Sequence, residues 1–202
     1  LVRSVHRRQD ALDQQEITTP VPPLRFTMPS LGAELDLLEP DAPLIRAEKI
    51  AVAGRLDRPV SLAVLAGSRL MVTGPNGAGK STLLAVLAQT IEPTSGTLVV
   101  DPVVRVGRLA QESAPPSGKR VREVYDTHIG LLTAHGVVPE DRAVPLEDLG
   151  LLDERDLDKR VRDLSMGQQR RLDLAMMLAT RPHVLLLDEP TTFLDIAHQY
   201  EL

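Results

Sequence analysis

The chain has 202 residues, a formal net charge of −5 and 43% apolar residues, which suits one domain with an appendage and a sizeable core. The absence of cysteine excludes disulfides and thiolate metal sites, and the few aromatic residues leave little surface on which nucleic-acid bases could stack. No apolar run reaches the roughly 20 residues of a membrane span, and the charged start LVRSVHRRQD lacks the apolar core of a signal peptide. The composition therefore indicates a soluble, cytoplasmic protein.

Residues 1–42 differ in composition from the rest of the chain. Residues 1–18 mix basic and acidic side chains with a narrow apolar stripe, which fits either a helix or a solvated leader. Four prolines within residues 18–30 predict an extended tether. We expect residues 1–42 to be the remnant of a linker, a charged helix followed by a proline-rich tether, and residues 43–202 to form the folded domain. Because the sequence begins without Met, we also expect it to be a fragment.

Strands and helices are predicted along most of residues 43–187. Short strands follow Pro43, the last of them at Arg69–Thr73, and a helix is expected from Gly79 to about Gln89. Two further strands are predicted in GTLVVDP and VVRVGRLAQ, followed by a loop at SAPPSG and a helix from Lys119 to about His135. Short helical pieces are expected in 136–163. A helix capped by Ser165 should end near Ala179, and a buried strand should follow at His183–Leu187. Strands therefore lead directly into the two motifs that carry chemistry.

The first motif is GPNGAGKST, which follows the strand predicted at Arg69–Thr73 and opens a helix. It fits the phosphate-binding pattern G-x-x-x-x-G-K-[ST]. Glycines let the backbone curl so that successive N–H groups point at phosphate oxygens, and the helix N-terminus adds its positive end. Lys80 can reach the outer phosphates, and Ser81 can offer its hydroxyl to Mg²⁺. The predicted nucleotide-binding residues are Gly74, Pro75, Asn76, Gly77, Ala78, Gly79, Lys80, Ser81 and Thr82; a glycine-rich turn that binds nothing is the alternative.

The second motif is LLLDEP, in which an apolar strand ends at two adjacent acids. Asp188 at the strand tip can hold the hydration shell of Mg²⁺. Glu189 can orient or deprotonate an attacking water. A pair of surface acids that caps a strand is the alternative, and the phosphate loop upstream disfavours it.

Two weaker signals lie between these motifs. Gln111 follows an apolar strand, where a side-chain amide could ligate a metal and water. The stretch LSMGQQRR opens a helix at Ser165, whose N-terminus is a second anion-binding end. Seen alone, the first is an ordinary glutamine and the second an ordinary capped helix.

The order of GPNGAGKST, Gln111, LSMGQQRR, LLLDEP and TTFLD resembles the ATP-binding cassette (ABC) superfamily over residues 43–202. The resemblance implies an α/β P-loop NTPase fold, with a RecA-like core, an antiparallel β-subdomain and a small helical signature subdomain. It implies that the loop binds ATP, that Ser81, Gln111 and Asp188 ligate Mg²⁺, and that Glu189 is the catalytic base of an ATPase. Ser165, Gly167 and Gln168 would act on ATP held by a second cassette, and Asp195 would communicate across that dimer.

Three features depart from the family pattern. Met166 stands where the signature usually has glycine. The aromatic residue that usually stacks on adenine is missing, because AVAGRLDRP offers only aliphatic side chains and Arg55. The family's switch histidine lies on a strand some 30 residues beyond the paired acids, so we expect the cassette to be truncated before that region.

The resemblance leaves three functions open. The leader, the tether and the phrase RVGRLAQES resemble the second cassette of ABC-F proteins, which are twin-cassette factors of translation or antibiotic resistance and would have the ribosome as a partner. The tail DEPTTFLDIAHQYEL resembles the ATPase subunits of iron–siderophore importers, which pair with a membrane permease, whereas ABC-F members usually have Asn and His at positions 192 and 193. A nucleotide-binding fragment that does not hydrolyse ATP is the third.

Overall fold

The structure is a computed structural model that describes residues 43–109 and 117–188. The expectations for residues 1–42 and for Gln111, Glu189 and Asp195 lie outside the described residues. Within the described ranges, no helix is both long enough and apolar enough to cross a membrane.

An antiparallel sheet occupies the start of the described chain. Its strands are β1 (Pro43–Val52), β2 (Leu56–Leu65) and β3 (Ser95–Val100), and β1 lies in the middle. The β1–β2 turn is tight because Gly54 adopts a φ of 71° and its N–H donates to the Asp57 carboxylate at 2.7 Å. This sheet is the antiparallel β-subdomain expected from the sequence.

A second sheet of two parallel strands joins distant parts of the chain. Strand β4 (Val106–Leu109) pairs with β5 (Val184–Leu187), so that Leu109 lies opposite Leu187. The pair begins where the N–H of His183 donates to the carbonyl of Arg105 at 2.8 Å. Both strands are predicted from the sequence, and their parallel pairing places their last residues, Leu109 and Leu187, at one edge.

In residues 43–109 and 117–188, four α-helices connect and flank these strands. Helix α1 (Lys80–Leu87) follows the phosphate-loop motif, α2 (Val121–Ala134) follows β4, and α3 (Glu154–Leu157) and α4 (Met166–Ala179) precede β5. The 3₁₀ turns at Glu140–Arg142, Glu147–Leu149 and Val161–Asp163 supply the short helical pieces predicted before α4. The mixed sheets and helices confirm the α/β class.

The buried residues form two clusters. The sheet core joins apolar residues of β1, the buried side of α1 and two residues of β5, Val184 and Leu186. The helical core joins α2, α4 and the turns between them around Tyr125, with Leu109 of β4 among its members. Strands β4 and β5 therefore link the two cores, and the candidate site lies where they end.

The strand predicted at Arg69–Thr73 is wrong. The structure gives this stretch no strand, and its apolar side chains are exposed: 60% for Leu70, 88% for Met71 and 38% for Val72. A strand forms only when a neighbour pairs with its N–H and C=O groups, and none of the described strands pairs with this one. The phosphate loop therefore follows an irregular segment instead of a strand.

Candidate functional site

The loop before α1 has the backbone that its glycines predict. Gly77 and Gly79 lie in the left-handed region, at φ values of 80° and 91°. The ammonium of Lys80 folds back over the loop and donates to the carbonyls of Gly74 and Pro75, each at 2.9 Å. The lysine charge therefore lies at the loop, beside the N-terminus of α1, where a phosphate group would meet both.

Gly79 also fixes the position of the loop against the antiparallel sheet. A Cβ atom at this position would lie 2.6 Å from the carbonyl oxygen of Arg55 and 2.9 Å from a side-chain carbon of Leu56. Only glycine fits this contact, since both its φ and the space around it exclude a side chain. The β1–β2 turn, which carries Arg55 in place of an aromatic residue, thus lies against the last glycine of the loop.

The two predicted motifs meet in space. Ser81, in the first turn of α1, donates its hydroxyl to Oδ1 of Asp188 at 3.1 Å, across 107 positions of sequence. Asp188 is 5% exposed and follows β5, where its N–H donates to the carbonyl of Leu109 at 3.3 Å. The parallel pair β4–β5 therefore holds the carboxylate against the start of α1.

The chemistry of this pair suits a magnesium ion. Mg²⁺ prefers hard oxygen ligands and usually combines one or two protein oxygens with water and substrate phosphates. Ser81 and Asp188 supply two such oxygens beside the loop. No group of three or more His, Asp or Glu side chains that could hold a metal occurs in residues 43–109 and 117–188. From the described part of the chain, a metal here would take these two oxygens, and the nucleotide, water and the predicted ligand Gln111 would complete its coordination.

Arg108 is a third member of this cluster that the sequence analysis did not identify. Its Nη2 lies 3.7 Å from Oδ2 of Asp188 and donates to the carbonyl of Ser81 at 3.4 Å. Its side chain is 21% exposed. The signal in the sequence was a single charged residue within the otherwise apolar strand VGRL, because a charge on a half-buried strand needs a partner.

The signature stretch forms a capping box at the start of α4. The Ser165 hydroxyl accepts from the N–H of Gln168 at 3.2 Å, and the Gln168 side-chain oxygen accepts from the N–H of Ser165 at 2.8 Å. Met166 is 84% exposed, and a Cβ atom at Gly167 would meet no described atom within 4 Å outside the helix's own backbone. The start of this helix is therefore ordered and open at Met166 and Gly167.

A buried acid, Asp156, accepts a hydrogen bond from the Gln168 side chain of the capping box. Asp156 is 1% exposed; its Oδ2 accepts from the Gln168 amide at 2.6 Å, and its Oδ1 lies 2.6 Å from the Lys159 ammonium. Both polar atoms of the Gln168 side chain are therefore engaged within this chain. The family resemblance assigned Gln168 to a partner's nucleotide. Asp156 was not identified from the sequence, because it lies in the segment 136–163, for which only short helical pieces were predicted.

The structure thus brings together only some of the predicted site residues. Lys80, Ser81 and Asp188 converge at the loop, whereas Ser165, Gly167 and Gln168 begin a separate helix. Gln111, Glu189 and Asp195 lie outside the described residues.

Comparison with known proteins gives a consistent result. The family described as "ABC transporter" matches residues 58–192. The chain is 37% identical to the tylosin resistance ATP-binding protein TlrC of Streptomyces fradiae, over 100% of this chain and 35% of that protein. It is 41% identical to the ATP-binding protein Uup of Caulobacter vibrioides, over 68% of this chain and 21% of that protein. The zinc import ATP-binding protein ZnuC of Yersinia enterocolitica is 34% identical, over 79% of this chain and 62% of that protein.

A solved structure shows the same fold. CbiO1 of Clostridium perfringens, part of the ABC transporter complex CbiONQ, superposes with a TM-score of 0.57 at 22% identity, covering 78% of this chain and 70% of that one. This chain spans about a third of the length of TlrC and a fifth of that of Uup.

Proposed function

Since this chain belongs to the ABC transporter family and is an ABC ATPase domain, we propose that it binds Mg-ATP at Gly74–Thr82 and hydrolyses it when paired with a second cassette. We propose further that it acts within an ABC-F protein. The observation that supports the site is the contact between Ser81 and Asp188, which joins the two motifs across 107 positions.

Each residue of the site has a separate task in this proposal. Lys80 exchanges its contacts with the loop carbonyls for the outer phosphates of ATP. Ser81 and Asp188 would hold Mg²⁺, which when bound supplies neutralising charge to the phosphates. Glu189, next in sequence to Asp188, would accept a proton from the attacking water. Phosphoryl transfer asks mainly for positioning and charge neutralisation, and these residues supply both.

The proposed second cassette follows from the other cluster. The Ser165 hydroxyl and Gly167 stand at an ordered helix N-terminus, which favours an anion. No neighbour in the described part of the chain requires glycine at position 167, so the absence of a side chain there would serve the close approach of a bound nucleotide. We therefore assign Ser165 and Gly167 to ATP held by a partner cassette, with Gln168 shaping the cap and Asp195 linking the two cassettes.

The extent of the matches favours the ABC-F assignment. The similarity to TlrC extends over the whole chain, including residues 1–42, whereas the similarity to ZnuC extends over 79% of it. A linker followed by a cassette would produce such a full-length match. An ABC-F cassette would have the ribosome as its partner, and by analogy with the name of TlrC it would contribute to antibiotic resistance.

The second candidate function is that of an importer ATPase. It is supported by the identity to ZnuC and by the tail after Asp188, which resembles siderophore importers. Such a subunit would pair with a membrane permease.

Steady-state phosphate release by the purified chain tests the enzymatic part of the proposal. We expect turnover that Glu189→Gln abolishes while ATP remains bound, and we expect Lys80→Ala to weaken ATP binding itself. Arg58→Ala, on the exposed part of β2, is the matched surface control. ATP binding without turnover in the unaltered chain would instead support a nucleotide-binding module. If neither substitution in the site changed binding or turnover, the site assignment would be wrong.

Co-purification separates the two assignments. The Glu189→Gln variant should bind ATP without hydrolysing it and so keep the two cassettes paired around the nucleotide. We would therefore sediment this variant with ribosomes through a sucrose cushion. ATP-dependent sedimentation supports the ABC-F role. Its absence, with recovery of a membrane permease in a tagged pull-down, supports the importer role.

A further inference from the structure

Arg108 places a positive charge inside the proposed magnesium site. Its Nη2 contacts both members of the pair that would hold the metal: Oδ2 of Asp188 at 3.7 Å and the backbone carbonyl of Ser81 at 3.4 Å. Its Nε is buried and has no hydrogen-bond partner in the described part of the chain. Asp188 and Ser81 therefore hold the guanidinium at the site, while its Nε–H has no acceptor among the described residues.

The electrostatic role of Asp188 changes with what surrounds it. Its side chain is only 7% exposed and lies next to the loop that would receive a triphosphate. A carboxylate in a partly desolvated site repels phosphate oxygens unless a cation offsets it. Mg²⁺ can supply that cation, and so can Arg108. Two cations close together repel each other, so each weakens the site's attraction for the other.

We propose that Arg108 is an internal counter-charge that competes with Mg²⁺ for Asp188 and makes nucleotide binding less dependent on the metal. The inference rests on the proposed function, since it concerns the same site. In the absence of Mg²⁺, the guanidinium offsets the charge of Asp188 and lets ATP enter the loop. When Mg²⁺ is present, Arg108 reduces the additional affinity that the metal provides. Arg108 is thus a positioning residue that acts through Asp188.

The contrast with another arginine in a strand supports this assignment. Arg46 of β1 lies 3.9 Å from Glu48, and both side chains are more than half exposed. Such a pair contributes little because water screens it. The Arg108–Asp188 pair has a similar separation but lies largely out of water, where the same charges interact more strongly.

The experiment measures one ratio, the Kd of a fluorescent ATP analogue, mant-ATP, in EDTA divided by its Kd in excess Mg²⁺. We would measure it for the unaltered chain, Arg108→Gln, Arg108→Lys and the surface control Arg46→Gln. A ratio taken within each variant is insensitive to the fraction of protein that is folded. Arg108→Gln should raise the ratio on the order of tenfold, because the Kd in EDTA rises and the benefit from Mg²⁺ grows. Arg108→Lys, which keeps the charge, should stay within about threefold of the unaltered chain, and Arg46→Gln should not change it.

The outcomes separate this inference from the proposed function. If the unaltered chain did not bind mant-ATP under either condition, the proposed function itself would fail. If mant-ATP bound normally but the ratio was unchanged or lower in Arg108→Gln, only the role of Arg108 would be overturned. An equal rise in Arg108→Gln and Arg108→Lys would also overturn it, because shape and not charge would then be responsible.

Discussion

Asp156 and Asp188 are the two buried acidic residues in the ranges that the structure describes, at 1% and 5% exposure, and their partners differ. Asp156 has an amide and an ammonium at 2.6 Å, one on each oxygen. Asp188 has a hydroxyl at 3.1 Å and a guanidinium at 3.7 Å, both longer. Burial alone therefore does not tell which acid belongs to a binding site; the distances to its partners do.

The difference has a physical reason. A buried charge is costly unless short contacts compensate it. Asp156 has a short hydrogen bond from the Gln168 amide on Oδ2 and an ion pair with Lys159 on Oδ1, although Oδ1 has no hydrogen-bond partner in the described part of the chain. Those bonds fix a conformation, here that of the Gln168 side chain and the cap of α4. Asp188 is compensated by longer contacts, so a ligand can replace its partners at lower cost. We therefore expect Asp156 to matter mainly for stability and Asp188 mainly for nucleotide binding.

The largest effect on stability should come from Asp156→Ala. The change leaves the Gln168 amide without its acceptor and the Lys159 ammonium without its partner, so the free energy of unfolding should fall by about 3 kcal/mol. Urea denaturation followed by circular dichroism measures it. Asp158→Ala is the matched control, because the 70% exposed side chain of Asp158 makes only a surface ion pair with Arg120. If both variants lost the same small amount, the assignment of Asp156 as a structural acid would be wrong.

Asp188→Asn should have the opposite profile, with a smaller effect on stability and a large effect on ATP turnover. The asparagine keeps the shape and an acceptor for the Ser81 hydroxyl but leaves the Arg108 guanidinium without its counter-charge. The free energy of unfolding should therefore fall by about 1 to 2 kcal/mol, less than in Asp156→Ala. The lost charge should reduce ATP turnover in Mg²⁺ on the order of a hundredfold, because a metal ligand is removed. Unfolding curves and phosphate release on the same samples test both parts. A loss of stability as large as that of Asp156→Ala would remove the distinction between the two acids.

The two acids also show how far the sequence could lead. Asp188 could be predicted from the sequence because it ends an apolar strand and belongs to an ordered set of motifs. The helix cap at Ser165 could be predicted because serine is a favoured N-cap residue, whereas the return bond from Gln168 was not predicted. Asp156 could not, because its partners are set by how turns pack and no local pattern records that. Arg108 has a local signal, a charge within an apolar strand, but its partners are set by the pairing of β4 with β5, which no local pattern records.

The wrong strand at Arg69–Thr73 has a related origin. The apolar run Leu70–Val72 indicates that a strand could be buried here, but strand formation depends on pairing with a neighbour elsewhere in the chain. Helices α1, α2 and α4 were predicted well because their hydrogen bonds are local. Strands β4 and β5 were predicted as elements, but their parallel pairing was not predicted. The family resemblance implied only that Ser81 and Asp188 lie close together, at one magnesium site.

Tyr125 extends the comparison to a buried polar group that is neutral at ordinary pH. It is 1% exposed in the helical core, and its hydroxyl donates to the carbonyl of Val144 at 2.8 Å. Burial, followed by the negative charges of Asp126 and Glu147, raises the pKa of Tyr125 to about 12. Because the folded-state pKa lies above the unfolded value of about 10, the neutral hydroxyl favours folding fully below pH 10, and that contribution is lost as the pH rises from about 10 to 12.

Tyr125→Phe should therefore have a small effect whose size depends on pH. At pH 8 the variant should lose about 1 kcal/mol in the free energy of unfolding, since one hydrogen bond is removed and the carbonyl of Val144 is left without it. At about pH 11 the difference should shrink, because the unaltered chain must then keep a proton that its unfolded form releases. Urea midpoints of both chains at the two pH values measure the change. If the difference in the free energy of unfolding between the two chains were the same at both pH values, the hydroxyl of Tyr125 would be accessible to water. The helical core would then be more hydrated around Tyr125 than around Asp156.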